Sequence, residues 1–221
     1  MQRILAIGLA FFLITAVAYG ATEHMGQGMV DKAVDGAINM ATAIVEVPMQ
    51  IYKGTKTGFE PIKSEVLSKV VGGVLGIGRG VSHAAGRFGW GTMELLGFWT
   101  ANHQDNNGVG IPLDAKYAWE MGEQYSIFKP SLSEGLQPVG AKFIRGAEDA
   151  LLGVLEVPGQ IKQENKTQGG NMLVGFFRGM WFWFSREVNG FTNLATCIVP
   201  NPVENLGYPF HQDAPADAAF K

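Results

Sequence analysis

The side chains best suited to chemistry recur at fixed spacing. Glu46 and Glu156 stand 110 residues apart, while Arg79 with Arg178 and Arg87 with Arg186 each stand 99 apart. Two carboxylates can divide general acid and general base work, and His83, set among Arg79, Arg87 and Glu94, has the titration range for proton transfer. The spacing argues against both roles. Position 182, where the copy of His83 belongs, is Phe182, so no imidazole repeats. Each glutamate also has an arginine to meet in its own copy, and an arginine fork satisfies a carboxylate at several donors at once. These residues are read as a structural ion-pair seam. Glu46 is expected to pair with Arg79 or Arg87, and Glu156 with Arg178 or Arg186, leaving no catalytic residue and no enzymatic activity.

The remaining constellations are weak. His103, Asp105 and Asp114 invite a metal reading but lack the alternating oxygen donors and twelfth-position glutamate of a calcium loop. Gly76-Ile77-Gly78-Arg79-Gly80 resembles a phosphate cradle only superficially, because no strand precedes it and no Gly-Lys-Ser/Thr follows. Cys197 is the one cysteine and cannot close an internal disulfide. Asn165-Lys166-Thr167 matches a glycosylation triplet and reads as an ordinary polar turn. No metal and no cofactor is expected.

The elements that must position the seam are written twice. Glu46-Val47-Pro48-Met49-Gln50-Ile51 returns as Glu156-Val157-Pro158-Gly159-Gln160-Ile161, and Lys32, Gly36 and Ala37 return as Lys142, Gly146 and Ala147. Gly76, Arg79, Gly80, Arg87 and Gly91 return as Gly175, Arg178, Gly179, Arg186 and Gly190. A first helix is predicted over residues 31–52, with Lys32, Asp35, Asn39, Thr42 and Glu46 as a polar stripe and a kink at Pro48. A second is predicted over 70–98. On it Arg79, His83, Arg87, Trp90 and Glu94 fall within a wedge roughly 80° wide, flanked by glycines that permit close approach. The opposite side, including Val74, Ile77, Val81, Phe88, Leu95 and Leu96, carries no charge. The copy, over 171–199, adds an aromatic run. Phe176, Phe177, Trp181, Trp183, Phe184 and Phe191 are read as a membrane or partner face, with a core formed by stacking the two copies as the rival reading.

The fold class is therefore all-α: two tandem helical-hairpin repeats over 31–99 and 141–200. Residues 100–140 form a linker leaning on the surface, with a short helix over 116–121 and Pro130 and Pro138 closing it. A Pro-rich tail over 201–221 is expected to be extended. Residues 1–20 read as a secretory signal, from Arg3, an uncharged apolar run over 4–17, and the small residues Ala18 and Gly20 before a cut. The protein is thus expected to be exported, to the periplasm or in association with the outer membrane. With a net charge of −3 and 17% charged residues it has no electrostatic case for nucleic acid.

A signal peptide, a helix ending in Glu-Val-Pro-x-Gln-Ile, then Gly-x-x-Arg-Gly with a later Arg and Gly, and a Pro-rich end together resemble the exosortase system-associated family of small exported bacterial proteins. This chain looks like two copies of that family's unit. The resemblance implies an envelope setting and assigns no chemistry. The expected function is a structural or interaction role in the envelope, with a membrane surface, an envelope protein or a second copy as partner. The alternative is a periplasmic carrier of a lipid or small apolar ligand held between the units.

Overall fold

The computed structural model describes residues 23–104, 108–122, 132–166, 170–202, 204, 206–210 and 214–220. The signal segment over 1–20 lies outside these residues. The chain is mostly helical. Helix α1 (Glu23–Thr42) passes through a 3-10 turn (Ala43–Val45) into α2 (Glu46–Thr57), and the long α3 (Glu65–Leu96) runs back along both. After strand β1 (Ala101–Asn102), α4 (Leu132–Leu152), a second 3-10 turn (Gly153–Leu155) and α5 (Glu156–Lys166) are followed by α6 (Met172–Ala195), which lies along α4 and α5. Strand β2 (Tyr208–Pro209) and α7 (Pro215–Phe220) end the described chain, α7 resting on α4 and α5.

The repeated proline explains the repeated 3-10 turn. Proline offers no amide hydrogen, so an α-helix through Pro48 or Pro158 loses the bond to Ile44 or Val154. Those two residues are the middle positions of the turns Ala43–Val45 and Gly153–Leu155. The next helix restarts with Glu46 or Glu156 in its first turn, where the helix dipole favours a carboxylate, and with the proline where a missing donor matters least.

Glycines set how closely the helices pack. A Cβ on Gly80 would lie 2.7 Å from Val47 Cα, and one on Gly179 would lie 2.5 Å from Val157 Cα. A Cβ on Gly91 would meet Gly36 O at 2.6 Å, and one on Gly190 would meet Gly146 O at 2.9 Å. Backbone therefore rests on backbone along the line where the charged side chains meet.

The linker departs from its expectation. Rather than leaning on the surface, it buries Thr100, Ala101, His103, Leu113, Asp114, Ala115 and Ala118. It is also laced to the residues after α6. Ala101 and Asn102 pair in parallel with Tyr208 and Pro209, Leu113 N–H donates to Asn201 O at 2.8 Å, and Asn201 N–H donates to Ile111 O at 2.6 Å. Residues 116–121 form turns in place of the expected short helix. Pro138 sits inside α4, which begins at Leu132, because packing against α6 holds the helix through one missing bond. The tail is likewise less free than expected: Asn201 and Phe210 are buried, and residues 215–220 are helical. Met25, Met29, Ala101, Trp181, Phe182 and Phe210 make one apolar cluster where α1, the linker, α6 and the tail converge.

Candidate functional site

The seam is built alike in both halves. In the first, Arg87 Nε donates to Glu46 Oε1 and Arg87 Nη1 to Asn39 Oδ1 at 2.8 Å, while Gln50 Nε2 donates to Glu46 Oε2 at 3.0 Å. In the second, Arg186 Nε donates to Glu156 Oε1 at 2.7 Å and Arg186 Nη1 to Asp149 Oδ1 at 3.0 Å, with Gln160 Nε2 on Glu156 Oε2 at 3.0 Å. Both arginines are 0% exposed. The glutamine four residues beyond each glutamate is part of the seam, and its recurrence as Gln50 and Gln160 was the sequence signal for it.

Arg79 and Arg178 do not join the repeated glutamates. Arg178 Nη1 donates to Glu164 Oε1 at 2.7 Å, and the guanidinium lies 6.0 Å from the Phe182 ring centre. The first-half position matching Glu164 is Gly54, which has no carboxylate. Arg79 instead approaches Asp114 Oδ2 at 3.5 Å and donates through Nε to His83 Nε2 at 3.4 Å. For Arg79 the carboxylate comes from the linker, and for Arg178 from α5.

The linker thereby contributes a side chain to both seams. Glu46 meets Arg87, and Asp114 enters beside them to accept from Lys53 Nζ at 2.8 Å and Gln50 Nε2 at 2.9 Å. Burial alone pushes the Asp114 carboxyl up, but hydrogen bonds from His83, Lys53 and Gln50 outweigh it and hold the group far below the usual carboxylate range. In the second half Asp149 and Glu156 share Arg186, and the linker supplies His103, whose Nε2 lies 2.6 Å from Asp149 Oδ2. His103 and Asp114, adjacent in a weak metal reading of the sequence, thus serve different halves; Asp105 lies outside the described residues.

Glu46, His83 and Asp114 place one ligand atom each within 4.8 Å of one another, which is metal-like geometry. The surroundings oppose a cation. Arg79 Nε–H points at His83 Nε2, the nitrogen far from the two carboxylates. A ligating histidine ordinarily donates from its far nitrogen, and here that nitrogen must accept. Lys53 and Arg87 already occupy the outer oxygens of the two carboxylates.

A pair of lysines closes the ends of the long helices. Lys32 Nζ donates to Thr100 O at 3.2 Å, Thr100 Oγ1 at 3.0 Å and Asn102 Oδ1 at 2.8 Å. Its repeat, Lys142, donates to Thr196 O and to Val199 O at 3.1 Å and lies 5.0 Å over the Trp90 ring. Burial lowers the Lys32 ammonium to about 8 and the Lys142 ammonium to about 7, while burial raises the Glu94 carboxyl, beside Lys32, to about 7.

The expected aromatic face divides. Phe176, Phe184 and Phe191 are exposed, Phe177 and Trp183 are half-buried, and Trp181 is buried at 2%. Trp181 belongs to the apolar cluster and donates through Nε1 to Trp99 O at 3.1 Å. Trp183 Nε1 donates to Glu187 Oε1 at 2.9 Å, which accommodates the one charge on that side of α6. Beyond Lys69, every exposed residue of α3 is apolar: Val70, Val74, Ile77, Gly78, Val81, Ala85, Phe88 and Leu96. The exposed residues of α6 are Met172, Leu173, Phe176, Phe184, Phe191 and Ala195. Among the described residues, ten apolar side chains are buried against twenty-one polar or charged ones, so the usual arrangement is reversed. No helix of the described residues is long and apolar enough to cross a membrane. Comparison with protein-family models, with curated proteins and with solved structures finds no match to this chain.

Proposed function

We propose that the protein is a non-enzymatic structural component of the bacterial envelope that lodges on a lipid surface through the outer faces of α3 and α6. The observation that carries this reading is that every exposed residue of α6, and of α3 beyond Lys69, is apolar, while Arg87, Glu94 and Arg186 are buried on the inner side. Apolar surface on this scale marks a contact face. The stripe from Val70 to Leu96 is about 39 Å long at the rise of an α-helix. It is made of aliphatic side chains and one phenyl ring, without the polar rim and hydrogen-bonding anchors that protein partners use. Acyl chains ask for none of these. The exposed residues of α2 and α5 include Lys56, Lys162, Gln163 and Lys166, which suit water and headgroups.

In this proposal the chain is two copies of one hairpin module, with α1 to α3 as the first and α4 to α6 as the second, exported behind a signal segment. The resemblance to exosortase system-associated proteins supports the envelope setting. The carrier alternative is less well supported, since the cavity between α3 and α6 encloses about 30 Å³. That is room for about one or two waters, whereas a small-molecule site takes about 300–1,000 Å³.

Flotation of detergent-free protein with phosphatidylcholine vesicles in a density gradient tests the proposal. Recovery in the vesicle fraction is expected, with a monodisperse species off vesicles only in detergent. A monomer that stays soluble without detergent and does not float would end the reading, and a soluble oligomer indifferent to lipid would replace it with self-assembly.

A further inference from the structure

The first half holds more cationic side chains than its helices can answer. Arg87 pairs with the helix-borne Glu46, while Lys53 and Arg79 both face Asp114, a carboxylate that arrives on the linker. The second half shows that this surplus is not required by the seam. There Lys53 is matched by Gln163 and His83 by Phe182, and Arg178 is paired with Glu164 from α5. Lys53 and His83 are therefore additions to the shared plan, and both face Asp114.

The contacts around Asp114 also read backbone. Arg87 donates through Nη2 to Ala115 O at 2.7 Å and through Nη1 to Lys116 O. Leu113 is 3% exposed and Ala115 7%, so a bulky apolar side chain is enclosed before the acid and a small one after it. Carboxylate recognition, two carbonyl contacts and size-selective flanks together amount to recognition of a short peptide. Within this pocket Gln50 Oε1, 1% exposed as a residue, has no hydrogen-bond partner among the described residues.

We propose that Gln50, Lys53, Arg79 and Arg87 form a binding site for an acidic peptide of the pattern apolar–Asp–small, which the linker fills in cis with Leu113, Asp114 and Ala115. The linker is then an internal occupant that an outside segment displaces. This inference does not depend on the lipid face, which lies on the opposite side of α3.

The test uses the full chain and a fluorescent nonapeptide, Ile-Pro-Leu-Asp-Ala-Lys-Tyr-Ala-Trp, copied from residues 111–119. Asp114→Ala and the isosteric Asp114→Asn both weaken the internal occupant. In a fluorescence anisotropy titration either variant is expected to bind the peptide at least tenfold more tightly than the wild type. A peptide with Asn for Asp should bind at least tenfold more weakly. Hydrogen exchange on the wild type serves as the second measurement, because saturating peptide should expose the Leu113 and Asn201 amides now bonded across the linker–tail bridge. A dimer formed by exchange of this segment between copies would also show that the site accepts it in trans. Folded variants that bind neither peptide, or both equally, would overturn the proposal. If neither variant folds, unchanged amide protection in the wild type at millimolar peptide would do the same.

Discussion

Glu46 and Glu156 are buried with their arginines at the centre of each half, and a buried ion pair costs most when only one partner is removed. Replacing Glu46 by alanine leaves the Arg87 guanidinium, 0% exposed, without its carboxylate, whereas Arg186 keeps Asp149 when Glu156 is removed. Glu46→Ala should lower stability by about 3–5 kcal/mol in urea unfolding, and Glu156→Ala by less, because Asp149 still answers Arg186. A loss below roughly 0.5 kcal/mol, the scale of an exposed pair, would show that the seam does not hold the helices together. The two capping lysines make a pH prediction of the opposite kind. Folded Lys142 and Lys32 give up their protons near 7 and 8, whereas the unfolded chain keeps them to about 10.5. The unfolded state therefore binds more protons across that window, so stability rises with pH from about 7 to 10. Glu94 works in the other direction: its folded carboxyl keeps a proton up to about 7 that the unfolded one loses near 4.5, so its contribution falls across that interval. Thermal unfolding followed from pH 5 to 10 should show a shallow minimum near neutrality, and Lys142→Met should flatten the alkaline limb. A profile that falls steadily from pH 7 to 10 would contradict the burial of both lysines.

At the scale of elements, Gly80 and Gly179 fix the distance at which α3 meets α2 and α6 meets α5. An added methyl at Gly80 or Gly179 would press on Val47 Cα or Val157 Cα, backbone atoms that cannot rotate away. Gly80→Ala and Gly179→Ala should therefore destabilise by about 1–3 kcal/mol, although alanine is the better helix former. Gly78→Ala, with nothing within 4 Å, is the matched control and should be neutral or stabilising. This packing was legible from the sequence because glycine, arginine and glutamate recur in register, and a recurring helical cost calls for a shared contact. The partners of Arg79 and Arg178 were not legible. They depend on a carboxylate thirty-five residues away in the linker and on Glu164, whose counterpart is glycine, and neither position repeats. The linker itself was misread for a related reason. Its Asn, Gly and Pro mark turns, and turn chemistry does not report that Asp114 and His103 are drawn inward by charges on distant helices.

At the scale of the molecule, reversed polarity sets where the protein can be stable. A buried ionic seam contributes little net stability, because desolvation offsets most of the attraction. In water the large outward side chains, from Val74 at 61% exposed to Phe191 at 63%, contribute little either. Burying one such side chain is worth about 1.5–3 kcal/mol, and a lipid phase can bury the outward rows of α3 and α6 together without altering the seam. Phosphatidylcholine vesicles or a mild detergent should therefore raise the unfolding temperature of the wild type well above its value in buffer. The same logic separates the two kinds of residue by mutation. Ile77→Glu with Phe184→Glu places carboxylates on the outer face, away from the seam, so helicity in buffer should be retained while vesicle binding falls at least tenfold. Glu46→Ala should behave in reverse, losing stability in buffer and partly recovering it on vesicles. If the outer-face double variant floats as well as the wild type, the contact with lipid lies elsewhere, and the apolar rows of α3 and α6 need another partner.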